Sequence, residues 1–337
     1  MLTPTQKYLA FVCVTAVLAV AILFAIRTAA PTGPANTDET DSVTPITDNN
    51  DTLPPSSTIY VSIVTHNEEP DGTAIHPDFT KDEAEFWKQR DAVVAFANML
   101  YENQVGYNWQ SDWNFLLAAT MFDNGTPSTN GKNIVRYLSE DLGMSLGPHA
   151  HESTYTYADV AALIAELGVT PNGVVGGFLL NPPNRSKLEY LRSPIHGNVY
   201  DYTWTPAILW GGGSPGHRAD PEGAGVWRPT NTKDYYTHNV NGTLPDVGTY
   251  LSTWEGVDEL LALQAEGKLT KGKIYTSSVM ITQEMITNDN ALADVQAHLV
   301  ALKDEITDGL VVFADIETVV QIWEERYDSV PNVYRAE

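Results

Sequence analysis

The feature that most constrains the fold is a regular alternation of strand-type and helix-type segments from residue 58 onward. Runs rich in β-branched residues, such as TIYVSIV and GLVVFA, are typical of buried strands, and they alternate with amphipathic patterns such as YADVAALIAELG. This alternation predicts an α/β architecture with a parallel sheet. About seven or eight such units predict closure into a (β/α)7-8 barrel, whose active site would lie at the carboxyl ends of the strands.

Two segments precede this predicted domain. Residues 8–26 read YLAFVCVTAVLAVAILFAI, with no charged residue, and their length is close to the ~20 residues that cross a bilayer. We expect residues 1–27 to be a transmembrane anchor or a signal segment, because the following RTAAP also resembles a cleavage site. Residues 28–57 are rich in Thr, Pro, Asp and Asn and predict a disordered linker. Residues 58–337 are then expected outside the cytoplasm, held at the membrane by the N-terminal helix or secreted after cleavage.

The charge balance limits the partners of this chain. It has 19 basic and 43 acidic residues, for a formal net charge of −24. Such a surface repels phosphate backbones, so nucleic acid is not expected as a partner, and neutral or cationic substrates are favoured. The single cysteine, Cys13, lies in the apolar N-terminal run, which excludes a disulfide and a cysteine-type zinc site in the folded part.

Two clusters of polar residues follow predicted strands, THNEEP at residues 65–70 and GPHAHES at residues 147–153. Alternate residues of an extended segment face the same side, so His149 should point with His151, and His66 with Glu68. Neutral imidazole together with carboxylate favours zinc or a similar divalent ion. An isolated His is more often structural, so the predicted metal site depends on the two clusters meeting at one edge of the sheet.

The order of these motifs resembles that of the glycoside hydrolase/deacetylase superfamily, which includes the polysaccharide deacetylases. THNEEP stands where that family has a TFDDGP-like motif, GPHAHES where it has H-S/T-x-x-H, and GVWRP where it has an RxPY-like motif. The resemblance spans roughly residues 58–330. It implies a distorted barrel, a metal-dependent hydrolase and an acetylated carbohydrate as the substrate.

The chain departs from the family pattern at two positions. Asn67 occupies the position of the family's general base, and an amide does not accept a proton at neutral pH. Glu68 matches a metal-binding Asp and His149 matches the first metal-binding His. The family's second His falls at Ser153, so His151, two residues closer, is expected to replace it.

The resemblance leaves the acid and the base to be assigned from nearby residues. Glu69, Asp112 and Glu152 are candidates for the base, although Glu152 would equally hold a His by a hydrogen bond. His217 is a candidate for the acid, and Arg228 for orienting a catalytic carboxylate. Asp112 also fits a helix N-cap, and Arg228 a surface ion pair.

Substrate contacts are expected from polar and aromatic residues near the predicted strand ends. Aromatic faces can stack on sugar rings, and polar side chains can bind hydroxyl groups. The residues expected to make these contacts are Asn67, Trp109, Trp113, Glu152 and Trp227.

Three functions remain open from the sequence. The first is a metal-dependent hydrolase of acetylated carbohydrate. The second is a glycoside hydrolase that pairs Asp112 with Glu69 or Glu152. The third is a non-catalytic glycan-binding domain, which Asn67 at the base position favours.

Overall fold

The computed structural model describes residues 57–151, 154–178, 188–211, 223–288 and 290–335. The predicted N-terminal anchor and nearly all of the predicted linker lie outside these residues. Among the helices of the described ranges, none has the length and apolar content needed to cross a membrane.

The first sheet is built around the long central strand β1, Ile59–His66, which is buried along its whole length. Strand β10, Tyr275–Ile281, pairs with it in parallel on one side. On the other side β11, Val311–Phe313, pairs with its first half and β2, Tyr107–Ser111, with its second half, both in parallel. Strand β3, Ser145–Pro148, pairs in parallel with β2. A strand that is buried on both faces is typical of a parallel sheet covered by helices.

The strands of the next part of the chain are β4 Val174–Phe178, β5 Ile195–His196, β6 Thr203–Trp204, β7 Ile208–Gly211, β8 Val226–Trp227 and β9 Asp246–Val247. A second sheet has the strand order β4, β7, β9, β8. A single parallel bridge between His149 and Gly176 connects the end of β3 to β4. At the other side, the backbone N–H of Ser278 in β10 donates to the carbonyl of Thr249, just after β9. The short strands β5 and β6 form a separate antiparallel pair.

Helices follow most of the parallel strands, and several begin at a side chain that caps the first turn. Asp112 caps the helix after β2, Thr282 the helix after β10 and Asp315 the helix after β11, each accepting a backbone N–H. The helices are α1 Glu83–Glu102, α2 Trp113–Phe122, α3 Ile134–Arg136, α4 Tyr157–Glu166, α5 Trp254–Ala265, α6 Gln283–Thr287, α7 Asn290–Ala301, α8 Lys303–Thr307 and α9 Ile316–Arg326.

The predicted α/β architecture with a parallel sheet is confirmed. It follows from the strand periodicity and from the caps that start a helix directly after a strand. Closure of the strands into a complete barrel stays a prediction. What matters for function is that β1, β2 and β3 are neighbours, because the carboxyl ends of parallel strands lie at one edge of a sheet.

Candidate metal centre

The two polar clusters of the sequence meet at this edge of the sheet. His66 is the last residue of β1, and its partner in the register is Gln110 of β2. His149 follows β3, and its backbone N–H donates to the carbonyl of Ser111 at the end of β2, at 2.9 Å. Strand β2 lies between the strands that carry the two clusters, and their side chains converge across its end.

Three potential ligand atoms form a small triangle. Oε2 of Glu68 lies 3.0 Å from Nε2 of His149 and 2.9 Å from Nε2 of His151. The two imidazole nitrogen atoms lie 3.1 Å apart. In a tetrahedral zinc site with bonds of about 2.0–2.1 Å, neighbouring donor atoms lie roughly 3.3 Å apart. The triangle therefore has nearly the spacing of one face of such a site.

His66 lies beside this triangle. Its ring centroid is 4.2 Å from that of His149, and its Nδ1 lies 3.8 Å from Oε1 of Glu68. Its Nε2 hydrogen-bonds to Oε1 of Gln110, which fixes the ring and directs Nδ1 toward Glu68. Ligand-type atoms of His66, Glu68 and His149 all lie within 4.8 Å of one another. His66 is thus positioned as a further ligand or as a proton carrier next to the triangle.

The protonation states fit a cation site. Burial alone would raise the pKa of Glu68, but the charge of His149 and the hydrogen bonds from His149 and His151, with nearby His66, outweigh it and hold this pKa far below its usual range. Burial lowers the pKa of His149 to about 4, helped by the charge of His66 and opposed by Glu68. At neutral pH the set is an ionised carboxylate with a neutral buried imidazole, which are the forms that bind metals.

The donor set fits a divalent ion of the zinc type. Imidazole nitrogen and carboxylate oxygen are the ligands that zinc takes in hydrolases. His149 is buried and Glu68 is partly buried, whereas the side chain of His151 is 55% exposed. One side of the triangle therefore faces solvent, where a substrate can approach.

Glycine at position 176 lets β4 come close to this centre. A Cβ atom added there would lie 2.7 Å from the carbonyl oxygen of Pro148 and 2.8 Å from Oε1 of Gln110. Gln110 is the residue that orients His66. A larger residue at position 176 would therefore displace Gln110 and, with it, the hydrogen bond that orients His66.

Asn67, expected to contact substrate, is completely buried instead. Its Oδ1 accepts a hydrogen bond from Nε1 of Trp109 at 2.8 Å, and its Nδ2 donates to Oε1 of Gln283 at 3.1 Å. Trp109 is only 1% exposed. The prediction that Asn67 and Trp109 bind substrate is contradicted by this burial, because neither side chain presents a free surface.

Asp112 adopts the alternative role that the sequence left open. It is buried, and its carboxylate accepts the backbone N–H groups of Asn114 and Phe115, so it caps α2. Burial raises its pKa to about 8, and the charges of Glu69 and Glu68 add to the effect against these two hydrogen bonds. Asp112 is therefore mostly protonated at pH 7, which disfavours it as a base. Glu69 is partly exposed and follows Glu68 directly.

Trp113 and Tyr155 form an aromatic pair near the same strand ends. Their rings stack at 4.5 Å with an interplanar angle of 12°, and both residues are partly exposed. Trp113 follows the capping Asp112, and Tyr155 lies four residues after His151. The prediction that Trp113 contacts substrate is compatible with this placement.

Trp227 and Arg228 are placed away from the roles expected for them. Trp227 is fully buried, and its Nε1 donates to the carbonyl of Tyr235, so its ring offers no surface to a sugar. The guanidinium of Arg228 pairs with Glu324 at 2.9 Å and stacks over the ring of Trp323 at 4.7 Å. Both partners belong to α9. Arg228 therefore forms an ion pair, which was the alternative to orienting a catalytic carboxylate. His217 and Glu152 lie outside the described residues.

Two glutamines that the sequence reading missed support the site. Gln110 holds His66, and Gln283 at the start of α6 accepts a hydrogen bond from the backbone N–H of Glu68 at 3.2 Å. Asn108 and Gln110 are polar residues at alternate positions of a fully buried strand. That combination was the available signal for Gln110, because a buried side-chain amide needs a partner. For Gln283 the sequence held no local signal.

No protein-family model matches the chain, and no curated protein matches it. Solved structures do. The chain is similar to the crystal structure of Puue allantoinase, with a TM-score of 0.53 and 12% identity over 86% of this chain and 98% of that chain. It is also similar, with a TM-score of 0.49 and 12% identity, to a structure from Pseudomonas aeruginosa PAO1 described as a probable polysaccharide deacetylase, over 79% of this chain and 91% of that one.

A third structure, from Parabacteroides distasonis and described as a glycoside hydrolase/deacetylase, matches with a TM-score of 0.49 and 12% identity over 81% of this chain and 73% of that one. At this identity, the likeness to the allantoinase establishes a shared fold and nothing finer. The shared fold agrees with the α/β architecture predicted from the sequence.

Proposed function

We propose that this protein is a metal-dependent hydrolase that holds one divalent ion, zinc or a similar first-row ion, with Glu68, His149 and His151. The observation that carries the proposal is the triangle of their donor atoms, 2.9–3.1 Å on each side. Two imidazoles and a carboxylate in this arrangement leave room for a water or substrate oxygen on the exposed side of His151. His66 is the fourth candidate ligand.

We also propose that the parallel strands β1, β2, β3, β4, β7, β9 and β10 close into a distorted barrel around the core. The bridge between His149 and Gly176 and the hydrogen bond from Ser278 to Thr249 favour closure, because they join the two sheets at both sides. The metal centre would then lie at the carboxyl-terminal mouth of the barrel, where barrel enzymes place their active sites.

The ion would act as a Lewis acid on the carbonyl group of the substrate and lower the pKa of a water molecule. The residues of the chain would move the protons. Glu69, partly exposed and next to Glu68, is the base we favour, since Asp112 is mostly protonated at pH 7. Where His66 does not serve as the fourth ligand, its Nδ1, which lies 3.8 Å from Oε1 of Glu68, is the described imidazole nitrogen best placed to return a proton to the leaving group.

The substrate we propose is an acetylated carbohydrate. The motif order supports this choice, and so does the stacked pair of Trp113 and Tyr155, whose aromatic surface suits a sugar ring. The net charge of −24 favours a neutral or cationic glycan over an anionic one. The shared fold with an allantoinase makes allantoin the first comparison substrate.

The two other functions predict different results. A glycoside hydrolase that uses two carboxylates would turn over without a metal and would release sugar rather than acetate. A glycan-binding domain would bind oligosaccharides and release nothing. The buried, capping position of Asp112 disfavours the first of these, because one of its proposed carboxylates already accepts two backbone hydrogen bonds.

The deciding experiment is elemental analysis of the purified full chain, followed by an assay of acetate release. We expect about one zinc-type ion per chain, its loss in the double variant His149→Ala with His151→Ala, and release of acetate only from the metal-loaded wild type. Wild type that takes up no metal after reconstitution would rule out the proposed function.

We propose further that the N-terminal segment holds the domain at the outer face of a membrane or directs its secretion. The support is the uncharged run of residues 8–26. Cell fractionation, with protease added to intact cells, tests both forms. A domain that stays in the cytoplasmic fraction would exclude them.

A further inference from the structure

A chain of buried hydrogen bonds lies directly behind the metal centre. Nε1 of Trp109 donates to Oδ1 of Asn67 at 2.8 Å, Nδ2 of Asn67 donates to Oε1 of Gln283 at 3.1 Å, and Nε2 of Gln283 donates to the carbonyl of Ile75 at 3.0 Å. The three side chains are 1%, 0% and 3% exposed, respectively. Each hydrogen bond fixes the orientation of the next amide, because the carbonyl end accepts and the NH2 end donates.

The same glutamine also holds the backbone at the metal ligand. Oε1 of Gln283 accepts the backbone N–H of Glu68 at 3.2 Å, in addition to Nδ2 of Asn67. Gln283 is the first residue of α6, directly after β10, which is the neighbour of β1. The side chain of Gln283 thus hydrogen-bonds to two consecutive residues, Asn67 and Glu68. Glu68 is the residue that carries the carboxylate of the triangle.

We propose that Gln283 is a positioning residue that sets the carboxylate of Glu68 through this amide chain, and that residue 67 serves as part of this support and not as an acid or base. The proposal rests on the proposed function, because it concerns the same metal centre. It assigns to Asn67 a role that requires an amide. A residue fully enclosed between Trp109 and Gln283 cannot reach a substrate.

An aspartate at position 67, as the resemblance would have it, would conflict with this network. One oxygen could still accept from Trp109, but the other would face Oε1 of Gln283, and two acceptors repel. If Gln283 rotated its amide to donate to this oxygen, its carbonyl would face the carbonyl of Ile75, and the N–H of Glu68 would lose its acceptor. Asn67→Asp should therefore weaken the metal centre and not supply a missing base.

The test compares Asn67→Asp with three further variants of the full chain. Gln283→Met keeps the length of the side chain and removes both of its polar ends. Gln283→Glu keeps the oxygen that accepts from Asn67 and from Glu68, and loses only the donor to the carbonyl of Ile75. Gln264→Met is the matched control, because Nε2 of Gln264 donates to the carbonyl of Ser57 at the opposite end of β1. Two quantities are measured, the dissociation constant for zinc and hydrogen exchange in metal-free protein of a peptide that covers residues 67–69.

We expect Gln283→Met and Asn67→Asp to raise the dissociation constant for zinc by about 10- to 100-fold, the range typical of residues that support a metal ligand. In metal-free Gln283→Met the backbone amide of Glu68 should exchange several-fold faster than in wild type. Gln283→Glu should keep this amide protected, and Gln264→Met should change neither quantity.

Unchanged exchange at residue 68 in metal-free Gln283→Met would overturn the proposal, whatever the metal result. So would wild-type zinc affinity in Gln283→Met. If Gln283→Met does not fold, Gln283→Glu and Asn67→Asp carry the test, and equal zinc affinity in these two variants would overturn it. Failure of the proposed function is a separate result, because it would appear as wild type that binds no metal.

Discussion

Nε2 of His149 lies 3.1 Å from Nε2 of His151, and both atoms lie within 3.0 Å of one carboxylate oxygen, Oε2 of Glu68. Two imidazole nitrogens can face each other at this distance when one carries a proton or when both lone pairs point at a cation. Burial lowers the pKa of His149 to about 4, so its ring is neutral at neutral pH. An ionised carboxylate beside it completes a group that a divalent cation would stabilise.

Replacement of the two His residues of the triangle, the proposed ligands His149 and His151, is predicted to have different effects on stability. His151→Ala and His149→Ala should each raise the dissociation constant for zinc, on the order of 100-fold, because each removes one of three ligands. His151 is exposed, so its loss should leave the melting temperature of metal-free protein nearly unchanged, whereas His149→Ala leaves a cavity and should lower it. Zinc titration and thermal unfolding measure the two effects.

His298→Ala is the control for these variants, because His298 is a partly exposed His in α7 that hydrogen-bonds to the carbonyl of Asp294. It should change neither zinc affinity nor acetate release. Equal zinc affinity in wild type and in both site variants would show that the triangle does not bind the ion.

Glu69→Gln is predicted to separate metal binding from proton transfer. The variant should keep about one ion per chain and lose 10²- to 10⁴-fold in kcat, the usual contribution of a general base. Asp71→Asn in the same loop is the matched control, since the carboxylate of Asp71 accepts hydrogen bonds from Thr73. A Glu69→Gln variant with wild-type kcat would assign the base to another residue.

The sequence was sufficient to predict the features that depend on local periodicity. Alternating strands and helices gave the parallel α/β architecture. The i, i+2 spacing of His149 and His151 placed both side chains at one strand end, and Glu68 met them there because β1 and β3 flank the same strand. These predictions used only the geometry of a strand and the polarity of a parallel sheet.

The burial of individual side chains was not predictable in the same way. Trp109 and Trp227 lie in short strands and Trp113 lies just after one, yet of these three Trp109 and Trp227 are enclosed and only Trp113 is partly exposed. Burial depends on which residues pack across the sheet, and these come from distant parts of the chain. The support from Gln283 has the same origin, since 216 positions separate it from Asn67.

Asp112→Asn is predicted to change how stability depends on pH. Burial raises the pKa of Asp112 to about 8, against about 3.9 in an unfolded chain. Between these two pH values Asp112 keeps its proton in the folded protein and has lost it in the unfolded chain. The contribution of Asp112 to the stability of the folded protein therefore decreases as the pH rises. Asparagine caps a helix about as well as aspartate and does not titrate. From pH 5 to pH 8, the free energy of unfolding of the variant should therefore rise relative to that of wild type, by up to about 1.4 kcal/mol per pH unit.

Urea unfolding of metal-free protein at four pH values measures this difference. Asp315→Asn is the control for replacing a capping aspartate, because Asp315 caps α9 and is partly exposed. Parallel stability curves for wild type and Asp112→Asn across this pH range would show that Asp112 is ionised in the folded protein, and it would then return as a candidate base.

The two tryptophans near the site are predicted to act on different quantities. Trp109→Phe removes the N–H that binds Oδ1 of Asn67 and leaves a buried acceptor without its partner, which should lower the free energy of unfolding by about 1–3 kcal/mol. Its effect on KM should be small once the metal site is saturated, because the ring does not reach solvent.

Trp113→Ala removes half of the stacked pair with Tyr155 and should raise KM for an acetylated oligosaccharide several-fold, with metal content unchanged. The opposite assignment, a KM effect from Trp109→Phe and none from Trp113→Ala, would place the sugar on the other side of β2 and would contradict the aromatic surface proposed here.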